Sequence, residues 1–194
     1  AGGGPHGGWG CSSSCRGSGE EYDPEMLPDL DHWLPPPTNI QWGPSRLHVW
    51  SFGLDHTRAN TAELESLLSA CERETAHQFS VERDRRRYIV AHGRLRQILS
   101  RYTATAPKDI MFGQGAHGKP FLSREHVGDR VHFNLSRSGA MGLCAVAYGQ
   151  DVGADVEWVR PLEGMETLVR RFFSPLENAN WLQLAETQKL DAFY

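Results

Sequence analysis

The stretch VHFNLSRSGAMGLCAVAYGQDVGADVEWV, Val131 to Val159, decides how this chain is read. Three apolar runs, "VHFNLS", "GLCAVAY" and "VGADVEWV", are separated by turn-forming Ser, Gly, Gln and Asp, which predicts three consecutive β-strands. The last has a two-residue alternation that puts Val152, Ala154, Val156 and Trp158 on one side and Gly153, Asp155, Glu157 and Val159 on the other. Two acids on one face of a half-buried strand repel each other unless something positive lies between them.

Upstream, "LHVWSFGL" (Leu47–Leu54) predicts a first strand, and Asn60 with Glu63 reads as a capping box opening a helix through "TAELESLLSACERE". In "SVERDRRRYIVAHGRLRQILSRY", Val81, Tyr88, Leu95 and Tyr102 recur every seven residues with Ala91, Ile98 and Leu99 beside them. This predicts an amphipathic helix whose outer face carries Arg83, Arg85, Arg86, Arg87, Arg94, Arg96 and Arg101. Such a run is ordinarily a solvated face, with RNA or an acidic protein as the sharper readings. "DIMF" reads as a strand, "GKPFL" follows a Gly-rich turn, and "VGDR" reads as a hairpin turn. Beyond Arg160-Pro161 the pattern turns helical, with Leu162, Met165, Leu168, Val169 and Phe172 on one face. Ser174 as cap and Pro175 at the first position open a further helix. One strand, helices, a run of strands and more helices make an α+β layout.

The 194 residues carry a net charge of −4, which argues against wholesale nucleic-acid binding. No apolar run is long enough to span a bilayer and no signal peptide is visible. Of the four cysteines, Cys11 and Cys15 lack a second ligand pair, Cys71 lies in the helical region, and Cys144 reads as a buried thiol; a reducing, cytoplasmic compartment is expected. Residues 1–43, with "AGGGPHGG" and "LPPPT", bury too little to offset ordering and are expected to form a disordered arm on which Trp33 and Leu34 could still dock.

Several residues could carry chemistry. Asp155 and Glu157 on one strand face suit a hard cation such as magnesium, which takes carboxylates together with water and phosphate oxygens; the competing reading is a solvated strand face. Lys119, between Gly118 and Pro120, is either a phosphate contact or an ordinary turn lysine. Ser136, Arg137, Ser138 and Gly139 in "FNLSRSG" could cradle an anion, as a plain polar turn could. Glu177 stands three residues after Ser174, so the local pattern favours a helix cap over a metal ligand.

Taken together, the ordered motifs "GKPFL", "FNLSRSG", "VGADVEWV" and "RRFFSPLE" closely resemble the 4′-phosphopantetheinyl transferase superfamily, in particular its longer, monomeric branch, a pseudo-dimer of two similar α/β halves, and the resemblance runs from about Leu47 to Tyr194. The resemblance implies magnesium-dependent transfer of the phosphopantetheine arm of coenzyme A to a serine of an acyl or peptidyl carrier protein. It implies Asp155 and Glu157 as metal ligands, with Glu177 an acid near the metal and part of the catalytic set. Lys119 and Ser136 would contact coenzyme phosphates, and Arg87 the nucleotide end. Arg137 stands where the family usually has histidine and could still bind phosphate, permanently charged. A cytoplasmic monomer without nucleic-acid or membrane partners is expected. A W-x-x-K-E motif follows the "FFSP" helix in the family, whereas "KLDAFY" ends at Tyr194. The resemblance therefore implies residues 44–150 as the N-terminal half of the transferase domain and 151–194 as the start of a truncated, incomplete C-terminal half, the chain itself being inactive or nearly so. A non-catalytic coenzyme A or carrier-protein binding module is the alternative.

Overall fold

The computed structural model of the protein describes residues 37–55, 57–115, 118–123 and 130–194. Residues 1–36, which include Cys11, Cys15, Trp33 and Leu34, and Val127 to Asp129 of the expected "VGDR" turn lie outside the described residues. The chain divides into two compact units that meet between Val156 and Glu157.

In the first unit, strand β1 (Leu47–Gly53) is followed by helices α1 (Arg58–Ser66), α2 (Ala70–His77) and α3 (Glu82–Ser100), and a 3-10 turn at Pro107–Asp109. Strands β2 (Phe112–Gln114), β3 (Pro120–Leu122), β4 (Val131–Ser138) and β5 (Met141–Tyr148) complete it. β2 and β3 form a hairpin, and the main sheet runs β1-β5-β4 with antiparallel neighbours. The β4–β5 pairing from Ser138↔Met141 to Val131↔Tyr148 is closed by a turn in which Gly139 has φ +55°, the left-handed conformation glycine reaches without steric cost. The architecture is α+β, as the element pattern predicts.

The core lies between α3 and one face of the main sheet. Leu95, Ile98, Leu99 and Tyr102 meet Phe133, Cys144 and Val146 there, with Trp50, Ile40 and Trp42 packed at the margin. The expected burial of Cys144 is met, and burial pushes its thiol up to about 12. Tyr88, Ile89, Val90 and Ala91 bury a second stripe of α3 against Leu64 and Leu68 of the α1 region. Of the heptad residues, only Val81, just before the helix, stays outside at 48 % exposure.

The expected single helix over Thr61–Glu74 is two. Thr57, not Asn60, caps α1 by accepting from the Asn60 amide at 3.4 Å. Ser69 opens α2 with a capping box to Glu72, whose carboxylate accepts from the Ser69 amide at 2.8 Å. α1 approaches α3 at Gly93, where an added Cβ would stand 2.7 Å from Leu64 Cβ and 3.0 Å from its carbonyl oxygen. Gly93→Ala gains about 1 kcal/mol of helix propensity. The displaced Leu64 backbone costs more, so a net loss of about 1–2 kcal/mol is expected in urea unfolding.

The arginine-rich face of α3 is not uniformly solvated. Arg96 is 1 % exposed and Glu72 likewise 1 %. The Arg96 guanidinium donates to Glu72 Oε2 from Nη2 at 2.6 Å and from Nε at 3.0 Å. Its Nη1 donates to the Pro107 and Ile110 carbonyls at 3.0 and 2.9 Å. The continuous strand expected at "DIMF" is therefore a 3-10 turn tied to Arg96, and the strand starts at Phe112. His92, also buried, lies with Nδ1 3.3 Å from Glu72 Oε1, and an ionised carboxylate only accepts, so Nδ1 carries the proton.

Burial works against the Glu72 charge, but hydrogen bonds from His92 and Arg96 and the Arg96 charge outweigh it and hold the carboxyl at about 2. Burial pushes the His92 imidazole down, against the pull of Glu72. In both cases the unfolded chain binds more protons than the folded one, so stability rises with pH. Unfolding free energy should fall below about pH 6.5 as His92 is asked to charge, and again between about pH 4.5 and 2 as Glu72 protonates. Urea titrations at pH 7, 5 and 3 measure this, and a flat profile would contradict the assignment.

In the second unit, α4 (Met165–Phe172), α5 (Pro175–Leu182) and α6 (Glu186–Phe193) surround the buried Val169 and Trp181. The Trp181 indole donates to the Lys189 carbonyl at 3.1 Å, and Phe173 stacks on Phe193. Ser174 and Pro175 open α5 as expected, whereas Phe172 of the predicted apolar face is 68 % exposed.

Candidate active site

Strand β4 builds the candidate site because its side chains alternate between two faces. Val131 and Phe133 point into the core, and Arg137 follows on that side with its guanidinium 5.6 Å from the Tyr88 ring centroid on α3. His132, Asn134 and Ser136 take the other face, where they meet the returning chain at residues 151–156. His132 Nδ1 lies 3.1 Å from Asp151 Oδ1. Asn134 Oδ1 accepts from the Ala154 amide at 3.1 Å. The Ser136 hydroxyl donates to Asp155 Oδ1 at 2.8 Å and accepts from the Val156 amide at 3.1 Å. The contacts advance in the same order along both segments, so residues 151–156 run parallel to β4.

This differs from the expected third strand. Residues 151–160 have no regular secondary structure, although Val152, Ala154 and Val156 are half-buried while Gly153, Asp155 and Glu157 are exposed. The alternation reports a segment lying along a surface. Its amides at Ala154 and Val156 are satisfied by β4 side chains.

Lys119, just before β3, reaches the same segment. Its ammonium donates to the Val152 carbonyl at 2.8 Å and stands 3.8 Å from Asp151 Oδ1. Lys119, Ser136 and Asp155 are thus brought to one stretch of chain. Ser136 and Arg137, adjacent in sequence, point to opposite faces of β4 and do not form one cradle. Arg87 lies on α3, its Nε and Nη2 each 2.8 Å from an oxygen of Asp55 in a two-pronged ion pair. Glu157 and Glu177 belong to the second unit. Glu177 closes the capping box of α5: its carboxylate accepts from the Ser174 amide at 2.8 Å, and its own amide donates to Ser174 Oγ at 3.3 Å. Hydrogen bonding to the Ser174 side chain and backbone holds its carboxyl below the usual range.

Asp55, His132, Asn134 and Asp151, which contact the candidate side chains or the segment that carries them, were missed by sequence reasoning. The strand period offered a signal for two of them, since positions 132 and 134 share the face of Ser136. Asp55 and Asp151 carried none, being single acids outside any regular element.

Among the described residues no three His, Cys, Asp or Glu side chains gather as a metal site. Magnesium needs less, often one or two carboxylates completed by water and substrate phosphate. The exposed Asp155 carboxylate, with Oδ1 oriented by Ser136 and the Val156 amide, suits such an ion by donor type.

The family model for the N-terminal part of 4′-phosphopantetheinyl transferase matches residues 55–148, the span from Asp55 through β5. The 4′-phosphopantetheinyl transferase HetI of Nostoc sp. (strain PCC 7120) is 35% identical over 166 residues, 85% of this chain and 70% of the relative. A 4′-phosphopantetheinyl transferase of Bacillus subtilis is 32% identical over 66% of this chain and 54% of its own. AcpT of Salmonella typhimurium is 32% identical over 51% of this chain and 48% of its own. The chain therefore spans 70% of the Nostoc relative's length and about half of the other two. With these matches beside its α+β architecture, the chain belongs to the 4′-phosphopantetheinyl transferase family.

Proposed function

We propose that the protein transfers the 4′-phosphopantetheine arm of coenzyme A to a serine hydroxyl of an acyl or peptidyl carrier protein, with magnesium. The observation that carries this reading is the meeting of Lys119, Ser136 and Asp155 on the segment that continues into Glu157. In the reaction a bond forms between the serine oxygen and the phosphorus of the pantetheine arm. The phosphorus–oxygen bond to the nucleotide breaks, and adenosine 3′,5′-bisphosphate leaves.

Asp155 and Glu157 would hold the metal. A bound magnesium ion would supply charge stabilisation for the diphosphate oxygens as negative charge gathers on them. Ser136 fixes the direction of the Asp155 carboxylate, and the partly exposed Lys119 ammonium exchanges the Val152 carbonyl for a coenzyme phosphate. Arg87 serves the nucleotide end, exchanging or sharing the Asp55 carboxylate, and Arg137 binds a coenzyme phosphate. A carboxylate of the set Asp155, Glu157 and Glu177, directly or through water, accepts the serine proton. For Glu177 this role competes with its helix cap. The working form is a cytoplasmic monomer with a pseudo-dimeric fold.

Calorimetry of coenzyme A with and without magnesium tests the reading. Binding should tighten with magnesium, and Asp155→Ala should remove that increment. Coenzyme A binding that ignores both the metal and the substitution would instead identify a non-catalytic binder.

A further inference from the structure

The contacts between β4 and residues 151–156 have an arrangement that the reaction alone does not explain. Asp155 sits on a segment without a backbone ladder, so its carboxylate is held only as well as the segment is. Ser136 acts on Asp155 itself and on the amide after it. Asn134 acts one residue earlier, on the Ala154 amide, and His132 acts at Asp151, where the segment begins. All three side chains come from alternate positions of one rigid, paired strand. Asn134 touches no group proposed to meet substrate; its amide oxygen takes the place a neighbouring strand's carbonyl would fill.

We propose that Asn134, assisted by His132, is a positioning residue: it clamps the Ala154 amide so that the Asp155 carboxylate is presented beside Ser136. The inference rests on the reading of Asp155 as a metal ligand. A carboxylate on a loosely tethered segment must be ordered when the ion binds, and that ordering is subtracted from the binding free energy. With the clamp in place the ordering has already occurred on folding. Supporting groups behind a metal ligand commonly matter by about 10- to 100-fold in affinity. A single neutral hydrogen bond places Asn134 near the lower end of that range.

The test compares Asn134→Ala, which removes the acceptor, with Asn134→Asp, which keeps an oxygen in its place. Two readouts are taken: hydrogen exchange at the Ala154 and Val156 amides, and magnesium-dependent coenzyme A binding by calorimetry. Asn134→Ala should speed exchange at Ala154 and weaken the magnesium-dependent part of binding by about tenfold. Binding without the metal should stay unchanged. Asn134→Asp should restore slow exchange and most of the affinity, a rescue that separates positioning from general loss of fold. His132→Ala should shift both readouts in the same direction by a smaller factor, since it acts further from Asp155. Unchanged exchange in Asn134→Ala would overturn the clamp, and faster exchange with unchanged metal-dependent binding would overturn its positioning role. If the unsubstituted protein shows no magnesium-dependent binding, the functional reading of Asp155 fails, and the positioning role with it. The exchange comparison then decides separately whether the clamp exists.

Discussion

Asp155→Ala is expected to lower the rate of phosphopantetheine transfer by the full-length form by a factor on the order of 10²–10³, the scale of losing one preorganised electrostatic partner at a developing charge. The side chain is exposed and meets the Ser136 hydroxyl and the Val156 amide. Val156 keeps Ser136 as an acceptor after the substitution, so folding stability should change by no more than about 0.5 kcal/mol. Asp155→Asn sharpens the experiment. Asparagine keeps the size and an oxygen for Ser136 but not the charge. If charge toward a cation is what matters, Asn should be nearly as defective as Ala. Steady-state transfer rates over a magnesium titration, set beside urea unfolding of the same variants, separate lost chemistry from lost fold.

Glu72→Ala is expected to have the opposite profile, a large loss of stability. The substitution leaves the Arg96 guanidinium at 1 % exposure without its carboxylate, and breaking one side of a buried pair costs about 3–5 kcal/mol. His92 loses the same partner, and α2 loses its capping box. The Arg96 bonds to Pro107 and Ile110 tether the turn that leads into β2, so the damage should spread to the β2–β3 hairpin that precedes and includes Lys119's neighbours. A double-mutant cycle with Arg96→Leu should show strong coupling: once Glu72 is gone, removing the stranded arginine costs far less than it does in the intact protein. Additive losses would mean that the two side chains act independently, against the geometry.

These two residues also mark what the sequence made legible. The strands at "VHFNLS" and "GLCAVAY" were readable because one face of each is buried, and burial writes a two-residue period into the side chains. Ser174 and Pro175 were readable because a helix start is specified within a single turn. The division between α1 and α2 was harder to see, because Leu64, Leu67, Leu68 and Cys71 keep a helical spacing across the Ser69 break. Which arginine of the basic helix is inside could not be read locally at all. Arg96 is buried because Glu72 waits 24 residues earlier, and only the tertiary fold joins them. Arg87 and Asp55 make the same point over 32 residues. At "VGADVEWV" the alternation correctly reported which residues face inward as far as Glu157. It could not report that β4 side chains, rather than a strand's backbone, would satisfy the Ala154 and Val156 amides.

The candidate site follows the same division. Asp155 stood out from sequence because an acid pair on an alternating segment is conspicuous. Asn134 did not, because an asparagine in a strand is chemically unremarkable until its partner amide is known. Glu177 was legible in its structural role as a cap, and the capping box is present.

The most direct measurement is mass spectrometry of an apo carrier protein after incubation with coenzyme A, magnesium and the full-length form of this protein, in parallel with its Asp155→Ala variant. The account predicts that the carrier gains the mass of one phosphopantetheine on a serine, that the gain requires magnesium, and that the variant's rate falls by the factor given above. Carrier proteins from several pathways that all remain unmodified, while coenzyme A still binds equally well with and without magnesium, would contradict it.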